Sequence, residues 1–97
     1  MNNFVIDYNK KELTLFFEGE THKFNLDEGD VGDFWHSFTN KKGVTKDINF
    51  YQEDENEQPS LSVYDLKEEG EHTVVDTSTG VYITECKTIG NPKNYFC

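Results

Sequence analysis

Asp27-Glu28-Gly29-Asp30-Val31-Gly32-Asp33-Phe34-Trp35-His36-Ser37-Phe38 is the stretch on which the fold class turns. Val31, Phe34, Trp35 and Phe38 fall at i, i+3, i+4 and i+7, the spacing of one apolar stripe on an α-helix. Asp27 is placed to cap its start, with Asp30 three residues on as an imperfect capping-box partner. The acids at 27, 28, 30 and 33 suit the positive end of a helix dipole. Asn40 to Gly43 closes the helix, with Gly43 as the left-handed residue. Gly29 and Gly32 leave its first turn adjustable by several residues. On this reading Phe34, Trp35 and Phe38 pack the helix onto a sheet, which puts Trp35 in the core; the lesser alternative is an exposed Trp35 that serves as a binding anchor.

The sheet is read from alternation on both sides. Phe4, Ile6 and Tyr8 alternate with Val5 and Asp7; Leu13, Leu15 and Phe17 alternate with Thr14, Phe16 and Glu18. With polar turns at Asn9–Lys11 and Gly19–Thr21, and His22, Phe24 and Leu26 following, this is a three-strand antiparallel meander. A fourth strand runs through Val44, Ile48 and Phe50 to Tyr51. A fifth follows Pro59 through Leu61 and Val63, and ends at an acidic turn around Gly70. Thr73–Val75 and Val81–Lys87 read as a hairpin across Asp76-Thr77-Ser78-Thr79-Gly80, residue types that turns favour. From about residue 88 the tail reads as irregular, with Tyr95 and Phe96 available to dock it. The expected fold class is α+β: one domain over residues 1–97, an antiparallel sheet of the meander and three to four further strands, and one helix on a face.

Charge narrows the function classes. The chain carries 19 acids against nine bases, a net charge of −10, and every base is lysine. Arginine supplies the planar fork that clamps phosphates and reads guanine, and phosphate neutralisation dominates nucleic-acid affinity. Direct binding to nucleic acid or to an anionic membrane is therefore excluded as an expectation, and a basic protein is the partner the field favours. The acids concentrate at 27–33 and at 51–72, where eight acids face Lys67 alone. Glu53, Asp54, Glu55 and Glu57, with Glu68, Glu69 and Glu71, are candidate contacts for a basic groove, where a fixed row of carboxylates imitates phosphates. The competing reading is a pair of solvated loops. Tyr51, Tyr64 and Tyr82 alternate outward from the core positions and offer an aromatic surface suited to an interface; the competing explanation is a sheet covered on both faces, by the helix and by the tail. Binding through aromatic anchors such as Tyr64 or Trp35 is the alternative to binding through the acids.

No chemistry-bearing motif stands out. Asp27, Asp30 and Asp33 lack the spacing of an EF-hand loop, and capping explains them. Asp33, His36 and Ser37 on one helical turn point in different directions and make no triad. Residues 76–80 have neither the glycines nor the lysine of a phosphate-binding loop. Cys86 and Cys97 have no metal or redox spacing and are expected to be reduced. No catalytic residue, metal or cofactor is expected. The N-terminal Met1-Asn2-Asn3 opens without a basic or long apolar run, so a signal peptide is not expected and a cytoplasmic setting, in a bacterium or a phage-infected cell, is. These readings converge on a non-catalytic acidic inhibitor of a basic partner, such as a nuclease or a CRISPR or restriction complex, of the phage anti-defence or toxin-immunity type. The alternatives are a small assembly module that self-associates, as a homodimer for example, and a small-molecule binder.

Overall fold

The structure is a computed structural model that describes residues 2–26 and 33–96. Strands take 64% of it and helix 4%, and no helix reaches seven residues. The protein is therefore a β-sandwich, and the α+β expectation is corrected. The expected helix is replaced, from Asp33 on, by a strand. Asp27, Asp30 and Val31, which were to start it, lie outside the described residues.

The N-terminal meander is as expected: β1 (Asn3–Asp7), β2 (Glu12–Phe17) and β3 (Glu20–Asn25). Strict alternation fixes its faces. Phe4, Ile6, Leu13, Leu15, Phe17 and Phe24 point inward and are buried. The β2–β3 turn is two residues long, and Glu18 and Gly19 both take positive φ (51° and 80°). That is the turn whose twist matches a hairpin, and only glycine adopts it without strain.

The chain then builds a second meander: β4 (Asp33–Thr39), β5 (Thr45–Tyr51), β6 (Ser60–Glu69) and β7 (His72–Ile83). Finally β8 (Cys86–Ile89) returns to the first sheet, parallel to β1. The sheet orders are β3-β2-β1-β8 and β4-β5-β6-β7. Thr88 and Ile89 thus belong to a strand, and the chain closes with a single turn, α1 (Lys93–Phe96). It seats Tyr95 in the core, 6.4 Å from the Phe50 ring.

The physical reason for the helix-to-strand change lies in the spacing itself. Phe34 and Phe38 are four apart, which places them on one face of a helix and equally on one face of a strand. Trp35 decides between the two. In the strand, Phe34, His36 and Phe38 face inward while Trp35 and Ser37 face solvent. Phe34 and Phe38 are buried and Trp35 is 51% exposed. Phe38 meets Phe17 and Phe24 across the sandwich at 6.2 and 6.3 Å, and His36 lies 5.6 Å from Phe24. Phe38 thereby packs edge-to-face against both Phe17 and Phe24 of the opposite sheet. Gly43 does take a positive φ (83°), but in the β4–β5 hairpin, where its N–H donates to the Asn40 carbonyl.

One further element differs. Asp76-Thr77-Ser78-Thr79-Gly80 does not turn the chain; the hairpin turn is at Gly70 (φ 66°). Residues 77–80 form a wide bulge inside β7, because Val63 pairs with Val81 while Asp65 pairs with Asp76. Local bonds hold it. Asp76 Oδ1 accepts from the Ser78 hydroxyl (2.6 Å), and the Asp65 N–H donates to Thr79 Oγ1 (2.9 Å). Beyond the bulge, Leu66–Glu69 and His72–Val75 pair only with each other, so β6 and β7 run past the sandwich as a two-stranded arm.

Candidate functional site

The outer face of the β4-β5-β6-β7 sheet carries the chemistry that the core does not absorb. Register places its side chains in cross-strand rows: Asp33–Tyr51–Ser60, then Trp35–Asn49–Ser62–Tyr82, then Ser37–Asp47–Tyr64. Trp35, Tyr51 and Tyr82 are 51%, 42% and 64% exposed. Trp35 and Tyr64 belong to strands separated by β5, yet their rings stack with centroids 5.9 Å apart and planes 30° apart. The pair therefore reaches across β5 between the Asn49 and Asp47 rows. Gly80, in the bulge, makes room for it: a Cβ there would stand 2.7 Å from Tyr64 Cε1. The bulge thus has a use, since it brings bare backbone against the ring that supports Trp35.

The outward placement of Tyr51, Tyr64 and Tyr82 agrees with the alternation in the sequence. Trp35 does not follow its favoured place, because the strand turns it from core to surface; the lesser alternative, an exposed anchor, is the placement observed. A period of two through Phe34, His36 and Phe38 is the signal that favours it.

The acids fall into two groups. Glu53, Asp54, Glu55 and Glu57 occupy the loop after β5. Within it Asp54 Oδ1 accepts from the Asn56 N–H (2.8 Å), and the Glu57 N–H donates to the Asp54 carbonyl (3.1 Å). Gln52, 1% exposed, anchors the loop to the core. It accepts from the Tyr8 hydroxyl (2.9 Å) and donates from Nε2 to the Glu57 carbonyl (3.1 Å). Burial pushes the Tyr8 phenol up, against the lowering effect of its bond to Gln52. The loop carboxylates are therefore held in a turn. Their field reaches the aromatic face: Glu53 most of all, then burial, Glu57 and Asp33, raise the Tyr51 phenol above its ordinary value.

The second group, Glu68, Glu69 and Glu71, caps the arm. Glu68 accepts from the Thr73 hydroxyl (2.9 Å), and Lys67 lies 3.9 Å from Glu69. Nine residue steps of β6 separate Ser60 from Glu69, about 30 Å at ~3.3 Å per residue. The two groups stand at opposite ends of a molecule 41 Å long, with the aromatic face between them. They do not merge into one acidic patch.

The remaining candidates resolve differently. His36 and Ser37 point to opposite sides of β4, so no Ser–His pair forms. His22 stacks on Phe38 at 4.3 Å and meets Glu20 at 3.1 Å. Glu20 is lowered chiefly by the hydrogen bond it accepts from the Lys41 N–H, a tie between the two sheets. Cys86 is half-buried, and burial pushes its thiol up to about 11. Among the described residues no group of three or more His, Cys, Asp or Glu is arranged to hold a metal ion. No helix among them is long and apolar enough to cross a membrane. The chain matches no family model, no curated protein and no solved structure.

Proposed function

We propose that this protein is a non-catalytic binding protein that occupies a basic partner through the outer face of the β4–β7 sheet. The observation that carries the reading is the Trp35–Tyr64 stack with its indole exposed, together with exposed Tyr51 and Tyr82 on the same face and carboxylates at both ends. Tryptophan and tyrosine are the residues that anchor protein interfaces, and a polar rim surrounds such anchors. The carboxylates supply that rim. At a net charge of −10 they attract a basic surface over long range and repel a second acidic copy. A partner whose own function is to hold nucleic acid presents such a surface, and a rigid acidic body seated there blocks it. The inhibitor reading thus keeps the acidic residues of the sequence analysis and adds Trp35, Tyr51 and Tyr82 as the centre of contact.

The test uses tagged wild-type protein and the Trp35→Ala/Tyr82→Ala double variant as parallel baits in a lysate of the source cell, eluted in salt steps. The expected result is one basic, nucleic-acid-handling protein that the wild type retains, moderate salt releases and the variant fails to hold. The same proteins on both baits, or recovery of the bait alone with a doubled mass in solution, would overturn the reading. The second outcome would favour self-association.

A further inference from the structure

We infer that the outer face holds a receptor for one arginine side chain of the partner, built from Asp47, Trp35 and Tyr64. This rests on the reading of that face as the binding surface, and it names what the face recognises.

Asp47 is unlike the other carboxylates of its sheet. Asp33 accepts from Asn49 Nδ2 at 2.8 Å, Asp65 is paired with the Lys46 ammonium, and Asp76 accepts from Ser78. Asp47 is as central as any of them, in the middle of β5 between Ser37 and Tyr64. Among the described residues its carboxylate has neither a hydrogen bond nor an ion pair. Burial alone raises its pKa. A carboxylate with weakened hydration gains from a cation that forks onto it. No buried side-chain oxygen among the described residues lacks a partner, so the Asp47 oxygens remain open to the outside.

What surrounds that opening selects the occupant. Tyr64 is the cross-strand neighbour of Asp47 on β6 and Trp35 lies one row away on β4, so the stacked pair borders Asp47 on its Asn49 side, with Trp35 exposed and Tyr64 braced on Gly80. An indole face attracts a cation, and a carboxylate beside it accepts a two-pronged hydrogen bond. A guanidinium meets both demands at once: it is planar, stacks on aromatic rings and forks onto carboxylates. An ammonium is a compact, strongly hydrated point charge that does neither as well. The chain itself has no arginine, so the ligand comes from another molecule.

Trp35 is the sole tryptophan and reports on the site directly. The experiment titrates a capped Gly-Arg-Gly peptide into the full chain and follows indole emission. Gly-Lys-Gly and Gly-citrulline-Gly serve as comparisons, and Asp47→Asn as the variant. The expected result is a saturable change with the arginine peptide and about tenfold weaker responses to the other two. Asp47→Asn reduces the arginine response to the citrulline level while its unfolding midpoint stays the same or rises. No saturable response to the arginine peptide, equal responses to all three, or an unchanged response in Asp47→Asn would overturn the inference. If Trp35→Ala/Tyr82→Ala abolishes partner capture while Asp47→Asn keeps the arginine response, only this inference falls.

Discussion

Replacing Phe34 and Trp35 one at a time by alanine separates a strand from a helix at 33–39. Phe34 is 1% exposed and meets Phe50 edge-to-face at 6.2 Å. Its truncation leaves a cavity between the sheets and costs ~3–5 kcal/mol. Trp35 is the larger residue, but it is 51% exposed. It buries roughly 100 Å², half of about 200 Å² for such a side chain, much of it against Tyr64. At ~25 cal/mol per Å², an upper bound, that is no more than ~2.5 kcal/mol, and relaxation of Tyr64 into the vacated space brings it towards ~1–2. With a urea slope of about 2 kcal/mol per molar, the Phe34 variant loses ~2 M in midpoint and the Trp35 variant under ~1 M. Urea unfolding followed by far-ultraviolet circular dichroism reads both. A domain of this size has only about 5–15 kcal/mol in all, so the Phe34 variant is the more fragile by a wide margin. Were the two residues on one buried helical stripe, Trp35→Ala would cost at least as much as Phe34→Ala. Equal or reversed costs would refute the strand assignment.

Three further outcomes follow from the same geometry. Tyr8→Phe leaves the buried Gln52 Oε1 without its donor, which costs ~1–3 kcal/mol in unfolding free energy; a neutral effect would show that the loop is not anchored there. Gly80→Ala forces the Tyr64 ring away from the bulge, so indole emission shifts and partner binding weakens with little loss of stability; unchanged emission would mean that the ring has no such constraint. In a Cys97→Ser background, a Cys86 thiol raised from 9.0 to about 11 carries ~100-fold less thiolate near pH 8, so alkylation is slow in the native protein and fast in denaturant; equal rates would contradict its burial.

The parts of the fold that were legible in the sequence are those where hydropathy and period agree. In β1 and β2, the buried Phe4, Ile6, Leu13 and Leu15 alternate with mostly polar neighbours, and no helix fits them. At 33–39 hydropathy and period disagree. Trp35 scores as apolar and faces water, whereas His36 scores as polar and faces Phe24 and Phe34. That inversion, with Phe34 and Phe38 compatible with either period, makes the strand resemble a helix until its partner strand is known. The bulge at 77–80 is hidden for a related reason: Asp76, Ser78 and Thr79 make the same local bonds in a bulge as in a turn. β8 pairs with β1 across most of the chain, and four residues carry too little pattern to announce it. For the site, the identities of the acids were legible but their separation was not, because it depends on the length of β6. Tyr51, Tyr64 and Tyr82 were legible as outward residues, whereas their convergence with Trp35 required the sheet order.

The claim that everything else serves is that binding is centred on the aromatic face with the acids as its rim. Its most direct test is the kinetics of the captured partner, by surface plasmon resonance at two salt concentrations. The variants are Trp35→Ala/Tyr82→Ala and the arm-tip reversal Glu68→Lys/Glu69→Lys/Glu71→Lys. The account predicts that loss of the aromatics speeds dissociation at both salt concentrations, while reversal of the acids slows association and flattens its salt dependence. Dissociation unchanged by loss of Trp35 and Tyr82 would contradict it.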